Sequence, residues 1–224
     1  MRYACILVVI MSLILFDFDG VLADTLSDLL LFGQQACDTL GVKHVATQAD
    51  LDELDVMSFA TYGLQMGVPE ALVDEFVRLC IDKFNRKETP PAIFDGLDEV
   101  VRRLSAEHVI VVVTGNDSVA VKAFLTAHGL EGCVRAVFGL DAPGSKVEKI
   151  FRAREQFAAR GETVWMVGDS ASDIRAAKEA HVKSVAVSWG HQGADRLVRA
   201  GPDYLVHTPG ELLALLAGSS DRAA

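Results

Sequence analysis

At 224 residues, half of them hydrophobic, the chain is long enough for one full domain or for one domain carrying a smaller insertion, and too apolar to be disordered. Its formal net charge of -10 gives a surface that repels a phosphate backbone, which argues against nucleic acid as a partner. Cys5, Cys37, Cys80 and Cys133 are scattered without CxxC spacing, which speaks against a zinc site or a disulfide frame and for reduced thiols in the cytoplasm.

Ala4 to Phe16 is almost continuously apolar after Arg2, like the hydrophobic region of a signal peptide, but no small-residue cleavage site precedes Asp17. The run is also short for a membrane span, so no membrane association is expected. Met11 reads as the start, with the residues before it as an extension.

Leu13 to Phe16 is an apolar run suited to a strand covered on both faces. It delivers Asp17, Phe18, Asp19 and Gly20. In an extended backbone Asp17 and Asp19 share one side and Phe18 takes the other, lining an entrance or packing in the core. Gly20 lets the chain bend sharply. Two adjacent carboxylates call for a cation between them or a retained proton. Taken alone, the motif also reads as an ordinary Asp-Gly turn.

Asp24 to Leu40 predicts a helix, capped at Asp24 or Thr25 and ended by Gly41. From Gln48 to about Arg86 the pattern stays helical, with Pro69 opening a helical turn and no strand-like run. Such a helical block directly after a buried strand reads as an inserted cap, residues 24–90, between core segments 1–23 and 91–224. Lys43, Arg78, Lys83 and Arg86 within it read as solvated faces.

Pro90, Pro91 and Gly96 mark the return. A helix over Gly96 to Glu107 is followed by a strand, Val109 to Val113, that ends in Thr114-Gly115-Asn116-Asp117. Ser118 to His128 is helical, and Val134 to Phe138 is a short strand. Pro143-Gly144-Ser145 turns into a helix that begins at Lys146 and ends near Gly161. Val164 to Val167 is a strand reaching Gly168-Asp169-Ser170, followed by a helix from Ser172 to His181. Ser184 to Val187 is a strand ending at Ser188-Trp189-Gly190, and helices at Ala194 to Ala200 and Glu211 to Leu216 flank a last strand, Tyr204 to Val206. Gly218 to Ala224 reads as a frayed tail. This alternation predicts an α/β fold, a parallel sheet wrapped by helices, in which ligands sit beyond the carboxyl ends of the strands.

Those ends carry Asp17 and Asp19, Thr114 and Gly115, and Asp169 with Asp173. An oxygen-only ligand set favours Mg2+, held by the side chains of Asp17, Asp169 and Asp173 and by the main-chain carbonyl of Asp19. Thr114, the Gly115 N–H and the Lys146 ammonium would hold phosphoryl oxygens, since transfer of that group rests on positioning and charge neutralisation. Asp17 is the expected nucleophile, and Asp19 the acid for the leaving alkoxide and then the base for water.

Asp17-Phe18-Asp19-Gly20-Val21-Leu22, Thr114-Gly115-Asn116, Lys146 and Gly168-Asp169-Ser170-Ala171-Ser172-Asp173 resemble, in order, the four motifs of the haloacid dehalogenase-like hydrolase superfamily. The segments Val187-Ser188-Trp189-Gly190, Gly201-Pro202-Asp203-Tyr204 and Glu211-Leu212-Leu213, with the helical block after Asp24, are similar to its phosphoglycolate phosphatase-like branch. The resemblance implies a Rossmann-like core with a helical cap, Mg2+ dependence, the roles given above, and Gly115 and Asn116 in the loop that holds the bound group. It implies a phosphatase of a small phosphorylated metabolite, cytoplasmic, acting as monomer or homodimer. A phosphomutase and a catalytically silent phosphate-binding module are the alternatives. Two positions depart from the pattern: Lys146 is followed by Val147 where the branch often has proline, leaving Lys149 as a rival, and His191 stands where an aromatic residue is usual.

Overall fold

Apolar runs as short as Leu13–Phe16 and Val109–Val113, buried on both sides, can be accommodated only between two layers of helix. The computed structural model describes residues 12–87, 89–158 and 161–218. In chain order its elements are β1 (Leu13–Phe16), β2 (Ala23–Asp24), α1 (Leu26–Leu40), α2 (Gln48–Asp52), α3 (Phe59–Gln65), a 3-10 turn (Glu70–Leu72), α4 (Val73–Asn85) and β3 (Ala92–Ile93). They continue with α5 (Leu97–Ser105), β4 (Val109–Val113), α6 (Ser118–Ala127), β5 (Ala136–Phe138), α7 (Lys146–Phe157) and β6 (Val164–Gly168). The last are α8 (Ala171–Glu179), β7 (Lys183–Val187), α9 (Ala194–Ala200), β8 (Tyr204–Val206) and α10 (Pro209–Ala217).

The main sheet is parallel, in the order β5-β4-β1-β6-β7-β8. β1 lies in its middle, with Leu13 opposite Val109 on one side and Val164 on the other. Alternation along each strand splits the core in two. Ile14, Phe16, Val112 and Val167 face Leu97 and Leu104 of α5, Phe124 of α6 and Leu212 of α10. Leu13, Leu15, Val111 and Met166 face Ile150 and Ala153 of α7 and Ala176 and Ala177 of α8. The chain order reverses at β1, so the carboxyl ends of β4, β1 and β6 open side by side, where such sheets hold their ligands.

The helical block has its own apolar centre, which includes Cys37 and Ala36 of α1, Leu51, Tyr62, Phe76 and Cys80. It leaves and rejoins the sheet through β2 and β3, which pair antiparallel. Polar contacts seat α2 and the segment after it on the loop that follows β7. Gln192 donates to the carbonyls of Leu51 (3.2 Å) and Leu54 (2.8 Å), and the Gly193 N–H donates to Asp52 Oδ1 (2.6 Å). Arg196 pairs with Asp55 (2.5 Å), and Arg175 reaches the Asp55 carbonyl.

The six-stranded α/β core and the helical stretch after β1 are as expected. The paired strands β2 and β3 are not, because two-residue strands carry no readable periodicity. The strand expected from Val134 begins at Ala136. Pro69 precedes a 3-10 turn before α4 rather than starting an α-helix. Phe18 is buried edge-on to Phe124, with ring centroids 5.0 Å apart, so it belongs to the core. Lys43 and Arg86 are exposed, and Arg78 pairs with Glu75 and Asp82 on the surface of α4. The apolar run up to Met11 and the tail past Gly218 lie outside the described residues. Among the described residues no helix is long and apolar enough to cross a membrane.

Candidate active site

Asp17 follows β1 directly, with its N–H still bonded to the Val167 carbonyl of the neighbouring strand (2.9 Å). The chain then tightens. Leu22 and Ala23 N–H both return to the Phe18 carbonyl, and Gly20 adopts a positive φ of 73°. Asp169 follows β6, and Asp173 lies in the first turn of α8. Oxygens of Asp17, Asp169 and Asp173 lie within 4.8 Å of one another, and the three side chains are 12%, 3% and 1% exposed.

Each carboxylate is held in a different way. Asp173 closes a capping box at the start of α8. Its Oδ2 accepts from Ser170 Oγ (2.6 Å) and Ser170 N–H (3.1 Å), while Oδ1 accepts from Lys146 Nζ (2.5 Å). Asp169 Oδ2 accepts from the His191 N–H (2.8 Å) and faces His191 Nδ1 (3.1 Å). Asp17 Oδ2 contacts Lys146 Nζ at 2.9 Å. Burial pushes the Asp17 carboxyl up to about 7; Lys146 opposes the rise, and Asp173 and Asp169 add to it. Burial disfavours the charge on Lys146, but Asp17 and Asp173 outweigh it and raise its pKa.

Asp19 is separate from this trio as a side chain. Its carboxylate accepts from Asn116 Nδ2 (3.1 Å); burial raises its pKa, and His191, Asn116 and Thr25 oppose the rise. Thr114 is buried at the end of β4, its hydroxyl accepting from the Asn116 N–H (3.0 Å). A Cβ built on Gly115 would meet nothing within 4 Å, so the loop is open there. Asn116, expected beside a bound group, aims its amide at Asp19.

The two candidate lysines part company. Lys146 sits at the entry to α7 and touches Asp17 and Asp173. Lys149 is buried one turn later and donates to the carbonyls of Thr114 (3.0 Å) and Gly139 (2.7 Å), bracing the ends of β4 and β5. Residues the sequence reading passed over also meet here. Thr25, expected as a helix cap, makes no capping bond and contacts His191 Nε2 instead (3.1 Å). His191 is buried, and Gly20 and Gly190 press against Asp169 so closely that a Cβ on either would collide with its side chain. The only local sign was His191 standing where the pattern favours an aromatic residue.

Three converging carboxylates with one ammonium make an all-oxygen donor set with excess negative charge, the chemistry of a hard divalent cation such as Mg2+. Residues 14–187 match the family model for haloacid dehalogenase-like hydrolases. The chain belongs to that family. The family match spans β1 to β7 and so contains every site residue named above except His191 and its neighbours. Among curated relatives, this haloacid dehalogenase-like chain is 27% identical over 213 residues to a phosphoglycolate phosphatase of Synechococcus elongatus, covering 91% of this chain and 96% of that one. It is 26% identical over 209 residues to a pyrophosphatase of Listeria innocua, covering 91% and 95%. A solved haloacid dehalogenase-like hydrolase from Streptococcus pneumoniae superposes with a TM-score of 0.80 at 19% identity, over 92% of this chain and 98% of that one, a likeness of fold. The likeness to the phosphoglycolate phosphatase-like branch therefore runs through nine-tenths of the chain.

Proposed function

We propose that the chain is a Mg2+-dependent phosphomonoesterase of the cytoplasm, acting on a small phosphorylated metabolite through an aspartyl phosphate, an acyl phosphate formed on Asp17. The observation that carries this reading is the meeting of Asp17, Asp169 and Asp173 around one point, with Lys146 on Asp17 and Asp19 held apart by Asn116 and Thr25. The phosphatase and pyrophosphatase names of the relatives agree with it.

Asp17, Asp169 and Asp173 would hold the cation. Bound there, Mg2+ supplies positive charge against the carboxylates and the phosphoryl oxygens. An Asp17 oxygen attacks phosphorus while the bond from phosphorus to the leaving oxygen breaks. Asp19, whose proton affinity burial raises, gives its proton to that leaving oxygen. Water then attacks the same phosphorus, Asp19 takes its proton, and the bond to Asp17 breaks. Lys146, Thr114 and the Gly115 N–H orient and neutralise the transferred group. The helical block, seated on the loop after β7, covers the leaving-group side and excludes water.

A panel of phosphorylated metabolites, read by released phosphate with and without Mg2+, tests the reading. Turnover that needs Mg2+ and disappears in Asp17→Asn is expected; no release from any compound would overturn it.

A further inference from the structure

His191 lies outside the sequence motifs, yet it touches both halves of the site. Its ring is 3.1 Å from Asp169 Oδ2 on the Nδ1 side and 3.1 Å from Thr25 Oγ1 on the Nε2 side, and Thr25 and His191 both neighbour Asp19 and favour its charged form. The main-chain N–H of the same residue gives Asp169 Oδ2 a second bond at 2.8 Å. The ring is 3% exposed, and Gly20 packs so near it that a Cβ there would stand 2.8 Å from Nδ1. The Thr25 hydroxyl, free of the capping duty its position offers, completes the link. Asp169 is thus left with Oδ1 for a cation, and the chain of contacts from Asp169 through His191 to Thr25 ends beside Asp19.

We propose that His191 is a positioning residue that ties the cation ligand Asp169 to the acid-base residue Asp19 through Thr25, so that one imidazole sets both cation affinity and proton transfer to the leaving group. This rests on the phosphatase reading for its proton-transfer half only. The Asp169 half concerns cation binding and stands separately. Outer hydrogen bonds of this kind orient ligating carboxylates and change affinity or rate when lost.

The two ring nitrogens can be removed one at a time. In His191→Asn the amide nitrogen takes the place of Nδ1 and the Thr25 contact is lost; in His191→Gln it reaches the place of Nε2 and the Asp169 contact is lost. Mg2+ affinity is measured by calorimetry without substrate, and turnover is compared between 4-nitrophenyl phosphate, whose leaving group departs without a proton, and an alkyl phosphate that the wild type hydrolyses. His191→Gln is expected to weaken Mg2+ binding about tenfold and keep the alkyl-to-aryl rate ratio, whereas His191→Asn keeps the affinity and lowers that ratio about tenfold. Thr25→Val, which leaves the ring untouched, should reproduce the His191→Asn pattern. Melting temperatures report whether each variant is folded. If Mg2+ affinity and the rate ratio stay within about twofold of wild type in all folded variants, or both substrates slow equally, His191 only packs the core and the inference fails. A wild type that hydrolyses neither compound would sink the phosphatase reading instead, and the Mg2+ titration would still decide the Asp169 half.

Discussion

Lys146 Nζ sits 2.9 Å from Asp17 Oδ2, while Lys149, one helical turn further along α7, makes no contact with any of the three clustered carboxylates and braces two loop carbonyls instead. The pair therefore separates chemistry from scaffold. Lys146→Met is expected to lower kcat/KM by about 100-fold or more, because it removes positive charge where negative charge gathers on the phosphoryl group. Lys149→Met leaves the carbonyls of Thr114 and Gly139 without their buried donor, and unfolding in urea should show a loss of about 1–3 kcal/mol. Equal catalytic loss in both variants would contradict the assignment.

Asp17 predicts a pH-dependent stability in cation-free protein. Its folded-state carboxyl titrates at about 7 against an ordinary 3.8, with burial the leading cause. Between those values the folded chain holds a proton that the unfolded chain has released, so this group lowers stability as pH rises through that window, and its cost is complete above about 7. Asp17→Asn should therefore melt higher than wild type at about pH 8, and the difference should vanish at about pH 4. Added Mg2+ should raise the wild-type melting temperature more than that of the variant. Parallel melting curves across this range would show that the buried charge costs nothing.

Gly20→Ala asks whether the turn after β1 and the cation site share one space. The alanine would need a positive φ and would drive its methyl into Asp169 Oδ2. A loss of about 2 kcal/mol or more of stability is expected, together with weaker Mg2+ binding by calorimetry, because the carboxylate must move aside.

Ser170→Ala tests the capping box that holds Asp173. Loss of the cap should cost about 1 kcal/mol in denaturant unfolding. It also removes the hydroxyl bond to Asp173 Oδ2 and leaves that oxygen only the Ser170 N–H, so Mg2+ affinity should fall in the same variant. A change in stability alone would mean that Lys146 and the Ser170 N–H suffice to keep Asp173 in place.

Asp19→Asn removes the group that donates and accepts the proton but none of the clustered carboxylates. Hydrolysis of alkyl phosphates should fall by about 100-fold or more, while Mg2+ binding measured without substrate stays near wild type. Lost binding would instead place the Asp19 side chain among the ligands.

Much of this was legible because strands announce themselves locally. Leu13–Phe16, Val109–Val113 and Val164–Gly168 are apolar runs followed by Asp17, Thr114 and Asp169, and the rule that ligands gather at the carboxyl ends of parallel strands brings the three together. Position in a pattern could rank Lys146 above Lys149, but their different fates follow from α7's rotation against β4, which no local signal encodes. Thr25 and His191 were missed for a related reason. They are 166 positions apart, and their contact exists only because the loop after β7 reaches past the end of β6 to the turn after β1. Thr25 reads as a helix cap from its neighbours alone, and tertiary contact redirected its hydroxyl.

The chain enters and leaves the helical block through two strands, β2 and β3, that run side by side in opposite directions. The start and finish of an excursion of some dozens of residues are thus stitched together at one seam, a few residues downstream of Asp19. Segments of other length or composition could be spliced in at that seam with the strand register of the sheet unchanged. Selection could then retune which molecules are admitted while the machinery that breaks the bond is inherited intact.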